Sequence, residues 1–133
     1  MAGVATVDIK VKVTGLGTDI VSENSATMTV PVEVQKGYTV LETATTTALQ
    51  LFDAIDHIAL AKIYGVYIKA VVGTVYITPD TAGTGTITSA TADLVLNVGE
   101  ACYIPVNPGG NLGFLVDGSA VTAAIEWMII GKA

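Results

Sequence analysis

The chain has no arginine. Its six cations are all lysine, set against twelve Asp and Glu for a net charge of −6. Nucleic acids are held largely through their phosphates, and arginine is the side chain that grips a phosphate with two hydrogen bonds at once. An acidic chain without it excludes direct nucleic-acid binding. Cysteine is nearly as scarce, with Cys102 standing alone, so neither an internal disulfide nor a multi-cysteine zinc site is available. Within Ala101-Cys102-Tyr103-Ile104 it reads as a small hydrophobe on a buried strand. Charge of both signs is thin: Asp, Glu, Lys and Arg make up 14% of the 133 residues while 51% are hydrophobic. Ordinary soluble domains carry about 25% charged residues, so much of this surface is expected to be hidden against other copies or a larger partner.

A membrane-spanning run is also missing. The longest uncharged stretch, residues 101–116, is too short to cross the roughly 30 Å of a bilayer core and is broken by Pro105, Pro108, Gly109, Gly110 and Gly113. Residues 1–13 lack the basic start and apolar block of a secretory signal. The expectation is no membrane association and synthesis in the cytoplasm.

What is present is a period of two. Val7, Ile9, Val11 and Val13 alternate with Asp8, Lys10 and Lys12, and Met28, Val30, Val32 and Val34 alternate with Thr27, Thr29, Pro31, Glu33 and Gln35. Successive strand side chains point to opposite faces, so these runs read as strands wet on one side and in need of a partner sheet. Gly15-Leu16-Gly17 and residues 22–25 read as turn material between them. Pro31 falls on the polar face, where a missing N–H is tolerated at an edge or bulge. Lys36-Gly37 reads as a turn, residues 38–51 as a strand because of the threonines at 43 and 45–47, and residues 52–61 as a short helical connection.

Strands follow at 63–72 and 74–78, ended by Pro79. After a small, polar loop at 80–92 come strands at 94–98 and 102–106 around Gly99-Glu100, then 112–116 and 121–130 around Asp117-Gly118-Ser119. Both of the last two pairs read as tight strand pairs. The last strand is apolar on both faces except at Glu126, which places it at the centre of a sheet or under a neighbouring subunit. The expected fold is all-β: one domain over 1–133, a β-sandwich or jelly roll of about eight to ten antiparallel strands. Trp127, Met128 and Ile130 on the last strand, with Pro31, are the candidate interface residues.

Residues that do chemistry are few. Asp53, Asp56 and the sole histidine, His57, form one possible metal or acid–base cluster, but a single imidazole without a second nitrogen or sulfur ligand is a poor metal site, and aspartates beside a short connection are ordinary caps. Ser22, Ser25, Ser89 and Ser119 lie in no nucleophile elbow. Gly15-Leu16-Gly17 and Gly83-Thr84-Gly85 lack the third glycine and following helix of a dinucleotide loop. The loop from Asp80 to Asp93 lacks the alternating carboxylates of a calcium site. No catalytic residue, cofactor or metal is expected.

The segments Ile63-Tyr64-Gly65-Val66-Tyr67-Ile68-Lys69, Leu94-Val95-Leu96-Asn97-Val98-Gly99-Glu100, Tyr103-Ile104-Pro105-Val106 and Ala124-Ile125-Glu126-Trp127-Met128-Ile129-Ile130 resemble, over roughly residues 38–130, small virion proteins of tailed bacteriophages. The likeness is greatest to capsid decoration, or cement, proteins. It implies a jelly-roll sandwich, a homo-oligomer that is commonly a trimer, and binding to the major capsid protein on the outer surface of the head. Two other readings stay open: a tail, adaptor or fibre-tip component, and a carbohydrate-binding jelly roll with Trp127, Tyr64 and Tyr67 as its aromatic platform.

Overall fold

The structure, a computed structural model, describes residues 3–15, 17–28, 33–41, 49–51, 58–80, 87–110 and 112–131. Ten strands run through them: β1 (Ala5–Val13), β2 (Ile20–Met28), β3 (Glu33–Val40), β4 (Leu49–Leu51), β5 (Ile63–Val72), β6 (Val75–Asp80), β7 (Leu94–Leu96), β8 (Ala101–Pro105), β9 (Gly113–Gly118) and β10 (Ala124–Gly131). β1 and β2 make a two-stranded ribbon, and the other eight form two antiparallel sheets, β3-β10-β5-β8 (sheet I) and β4-β9-β6-β7 (sheet II). From β3 onward every successive pair of strands crosses from one sheet to the other except β6 and β7, which lie side by side. That path is a jelly roll, and the all-β sandwich expected from the alternating runs is the observed fold.

The core lies between the sheets. Sheet I sends in Val66, Ile68, Ala70, Ile125, Trp127 and Ile129, and sheet II sends in Val75, Ile77, Leu96, Phe114 and Val116. Leu41 and Ile58 join the same cluster. Trp127 keeps 8% of its surface exposed, and its indole N–H donates to the Thr39 hydroxyl at 3.0 Å. The ring lies across Gly37, its partner in register on β3, and a Cβ at Gly37 would sit 2.6 Å from Trp127 Cζ2. Gly37 is therefore a close-approach glycine in mid-strand and not the turn expected of Lys36-Gly37.

Other expectations are corrected by the topology. Residues 22–25 belong to β2, whose nine residues pair with all nine of β1. The strand pairs expected around Gly99 and Gly118 are not pairs: β7 and β9 belong to sheet II, β8 and β10 to sheet I. Gly99, at φ +87°, and its neighbours form an arch between layers, in which Glu100 N donates to Asn97 O at 2.9 Å and Gly99 N to Ala70 O at 2.8 Å. Pro79 does not end β6, which continues to Asp80. Pro79 pairs with Phe114 on β9 beyond Ile77, where pairing to β7 stops, so it occupies an edge position that dispenses with a donor. Of the helical connection expected over 52–61, residues 52–57 lie outside the described residues, and Leu60–Lys62 is a single 3-10 turn.

Two substitutions test this core. Trp127→Ala removes the largest interlayer side chain and is expected to cost about 3–5 kcal/mol. Gly37→Ala forces a Cβ into a ring held from both sides and should cost about 1–3 kcal/mol. Urea unfolding read by tryptophan fluorescence for Gly37→Ala, and by circular dichroism for both, measures each loss.

Candidate interaction surface

The functional surface starts with the ribbon. Residues opposite each other across an antiparallel pair share a face, so the register of β1 and β2 sorts the ribbon into two sides. One side carries the pairs Asp8–Ser25 and Lys10–Glu23 together with Lys12. Ser25 Oγ donates to the Asp8 carboxylate, Lys10 Nζ lies 3.6 Å from Glu23 and Lys12 Nζ lies 3.0 Å from Asp19. These ion pairs are largely in water, where such a pair contributes at most about 1 kcal/mol. The other side carries Ala5, Val7, Ile9, Val11 and Val13 facing Met28, Ala26, Asn24, Ser22 and Ile20, with no charge at all. Ile9, Val11 and Ile20 are 48%, 58% and 58% exposed. A lone two-stranded hairpin is at best marginally stable in water, and this face leaves the ribbon with little apolar burial of its own.

The ribbon's base does have a partner. Sheet I turns a second apolar face outward, in which Lys36, Met128, Tyr67 and Tyr103 form one row and Val34, Ile130, Gly65 and Pro105 the next. Tyr103 folds its ring over Gly65, close enough that a Cβ there would collide with the phenol, and its hydroxyl lies 4.0 Å from the Met28 sulfur at the end of β2. A groove of about 640 Å³ runs between ribbon and sheet, with Thr6, Val7, Asp8, Ile9 and Lys10 on one wall and Tyr67, Tyr103, Met128 and Ile130 among the residues of the other. Burial first, and then the neighbouring Tyr64, push the Tyr103 phenol above its ordinary pKa, so it stays protonated and able to donate. Along the β3 margin the same outer face is open: Val34, Tyr38 and Val40 are 54%, 59% and 50% exposed, and Val72 across the sheet 40%.

The four residues picked from the sequence part company here. Trp127 points into the core and is spent within the subunit, which also removes it as a sugar platform. Met128, half-buried, and Ile130, buried, lie on the outer face beside the groove. Pro31 lies outside the described residues, as do Asp53, Asp56 and His57. Asp80 is placed as the last residue of β6, residues 81–86 of the loop after it are outside, and Asp93 N donates to Thr78 Oγ1 at 3.3 Å. Among the described residues no three His, Cys, Asp or Glu gather as metal ligands, and no helix is long and apolar enough to cross a membrane.

Val34, Tyr38, Val40 and Ile20 were not among the expected interface residues, although Val34 stood in one of the alternating runs. The first three keep a period of two through Lys36, and that rhythm was the available signal. No protein-family model, curated protein or solved structure matches the chain.

Cys102, on β8, packs partly against the core. Burial raises its thiol pKa, and a backbone hydrogen bond with Ile68 only partly offsets this. The thiol is therefore neutral at neutral pH and accelerates toward electrophiles only as pH climbs beyond the ordinary thiol range. Iodoacetamide should label native Cys102 at least several-fold more slowly than it labels the urea-unfolded chain; equal rates would contradict this burial.

Proposed function

We propose that this protein is a structural subunit of a phage virion, a decoration or cement protein that sits as a homo-oligomer, of three copies on the family resemblance, on the outside of the head and contacts the major capsid protein. The observation that carries the reading is a pair of exposed apolar surfaces, the uncharged face of the ribbon and the Val34, Tyr38 and Val40 margin of sheet I, the latter interrupted by Lys36 and Glu126, displayed by a jelly-roll body with a closed core of its own. Such faces on a monomer are costly in water and become an asset in an assembly. The strand and turn pattern shared with decoration proteins supplies the virion setting. The acidic, arginine-free composition fits a layer outside a DNA-filled shell, since it offers nothing to a phosphate backbone.

Attachment at several points makes the bond durable. An oligomer that engages several capsid subunits turns later contacts into intramolecular ones, so weak single contacts add up to slow release. The subunit would be made in the host cytoplasm and end on the virion.

The test uses heads of the encoding phage assembled without this protein. Purified full-length chain should co-sediment with them to saturation, at a fixed ratio to the major capsid protein, and raise the temperature at which they disrupt. Failure to co-sediment at high micromolar concentration overturns the reading.

A further inference from the structure

We infer that the ribbon of one subunit lies with its uncharged face on the outer β3 margin of sheet I of a second copy of this chain. The proposal rests on the homo-oligomer in the reading above and names the contact that holds it.

Three observations select a second copy as the occupant. The first is proximity within the chain: the Tyr103 hydroxyl of sheet I reaches Met28 at the ribbon's base, and one groove is lined by Val7 and Ile9 of the ribbon and by Tyr67, Met128 and Ile130 of its own sheet I. The distal part, Ile9 to Val13 with Ile20, continues the same face and remains open. The exposed column Val34, Tyr38, Val40 belongs to that same outer face of sheet I.

The second is the match of rhythm. Val7, Ile9, Val11 and Val13 on β1 and Val34, Lys36, Tyr38 and Val40 on β3 are both four-residue rows with a period of two, each about 20 Å long at roughly 3.4 Å per residue. The ribbon brings no charge to this contact, because Asp8, Lys10, Lys12 and Glu23 are on its other side. Lys36 lies between Val34 and Tyr38 and has a long stem that can lie along aliphatic neighbours while its ammonium reaches water.

The third is area. Large apolar residues that are half exposed contribute on the order of 100 Å² each, so Ile9, Val11, Val13 and Ile20 offer about 400 Å² and Val34, Tyr38, Val40 and Val72 about the same. A subunit that gives one ribbon and receives one hides about 800 Å² over its two contacts, while each contact by itself buries about 800 Å² in total, below the roughly 1,000 Å² of a specific interface. One contact without its return would fall short, which favours a closed ring of copies.

The experiment measures mass in solution by light scattering for the full chain and for Val11→Asp, Tyr38→Asp and Lys10→Gln. The wild type and Lys10→Gln should run as one oligomer, while Val11→Asp and Tyr38→Asp fall to the 13.6 kDa subunit. The three variants should keep a single cooperative urea transition and the native Trp127 fluorescence, since the substituted side chains lie outside the core, with any fall in midpoint for the two monomeric variants reflecting the lost association. In a Cys102→Ala background, Val11→Cys and Tyr38→Cys proteins mixed in equal amounts should be joined by a short bis-maleimide into a heterodimer, and neither should be joined as efficiently alone.

A monomeric wild type at high micromolar concentration overturns the inference, as does an oligomer that both charge substitutions leave intact. Head binding is scored separately. An oligomer insensitive to Val11→Asp that still coats heads removes the ribbon contact and spares the virion reading; a sensitive oligomer that ignores heads supports the ribbon contact and removes the shell.

Discussion

β10 is apolar on both faces except at Glu126 and sits second from the edge of sheet I, and the rest of the molecule is organised around that constraint. Inward, Ile125, Trp127 and Ile129 supply the middle of the core. Outward lie Ala124, Glu126, Met128 and Ile130, of which Ala124 and Ile130 are already buried and Met128 is half-buried. The inward side is satisfied within the chain by sheet II and by two concessions on β3: a glycine under the indole ring, and a threonine that accepts its N–H. The outward side is satisfied only in part, by the tyrosine ring over Gly65 and the base of the ribbon. One strand thus sets both the stability of the sandwich and its need for company.

The strands were legible because a period of two survives any arrangement of sheets. Val66, Ile68 and Ala70 on β5 and Ile125, Trp127 and Ile129 on β10 alternate in the chain and alternate in space. Which strand neighbours which was not legible, and the reason is physical. A tight turn with a glycine at positive φ reverses the chain equally well within a sheet or from one layer to the other. At Gly99 the decision is taken by a partner remote in sequence, Ala70, whose carbonyl accepts from Gly99 N–H and whose N–H donates to Glu100 O, and local composition carries no record of it. Gly37 failed as a turn signal for a similar reason, since the demand for a missing side chain comes from Trp127, ninety residues later in the chain.

β2 was hidden by its own chemistry. Ser22, Glu23, Asn24 and Ser25 are residues that favour turns because their side chains compete for backbone hydrogen bonds. In the ribbon they pair in register with β1 and project into water, where a strand needs no aliphatic residue. The interaction surface was half legible as a result. The apolar row of β1 announced a missing partner, whereas the receiving row on β3 is interrupted by Lys36 and is obscured by Gly37, so only the folded sheet brings Val34, Tyr38 and Val40 together.

The ribbon and the sandwich differ in how they are held, and that difference has a consequence for assembly. The sandwich has a closed core with side chains at or near zero exposure, so its order is independent of concentration. The ribbon is held by nine residue pairs in register, by two exposed ion pairs among the described residues and by the approach of Tyr103 to Met28 at its base, and covering its uncharged face would add to these. Anything that binds only the ordered form stabilises it by mass action. On the proposed assembly, docking would add to the ribbon's stability, and copies would commit that surface when a neighbour arrives. On the virion reading, that places the adhesive step at the shell, where copies are concentrated.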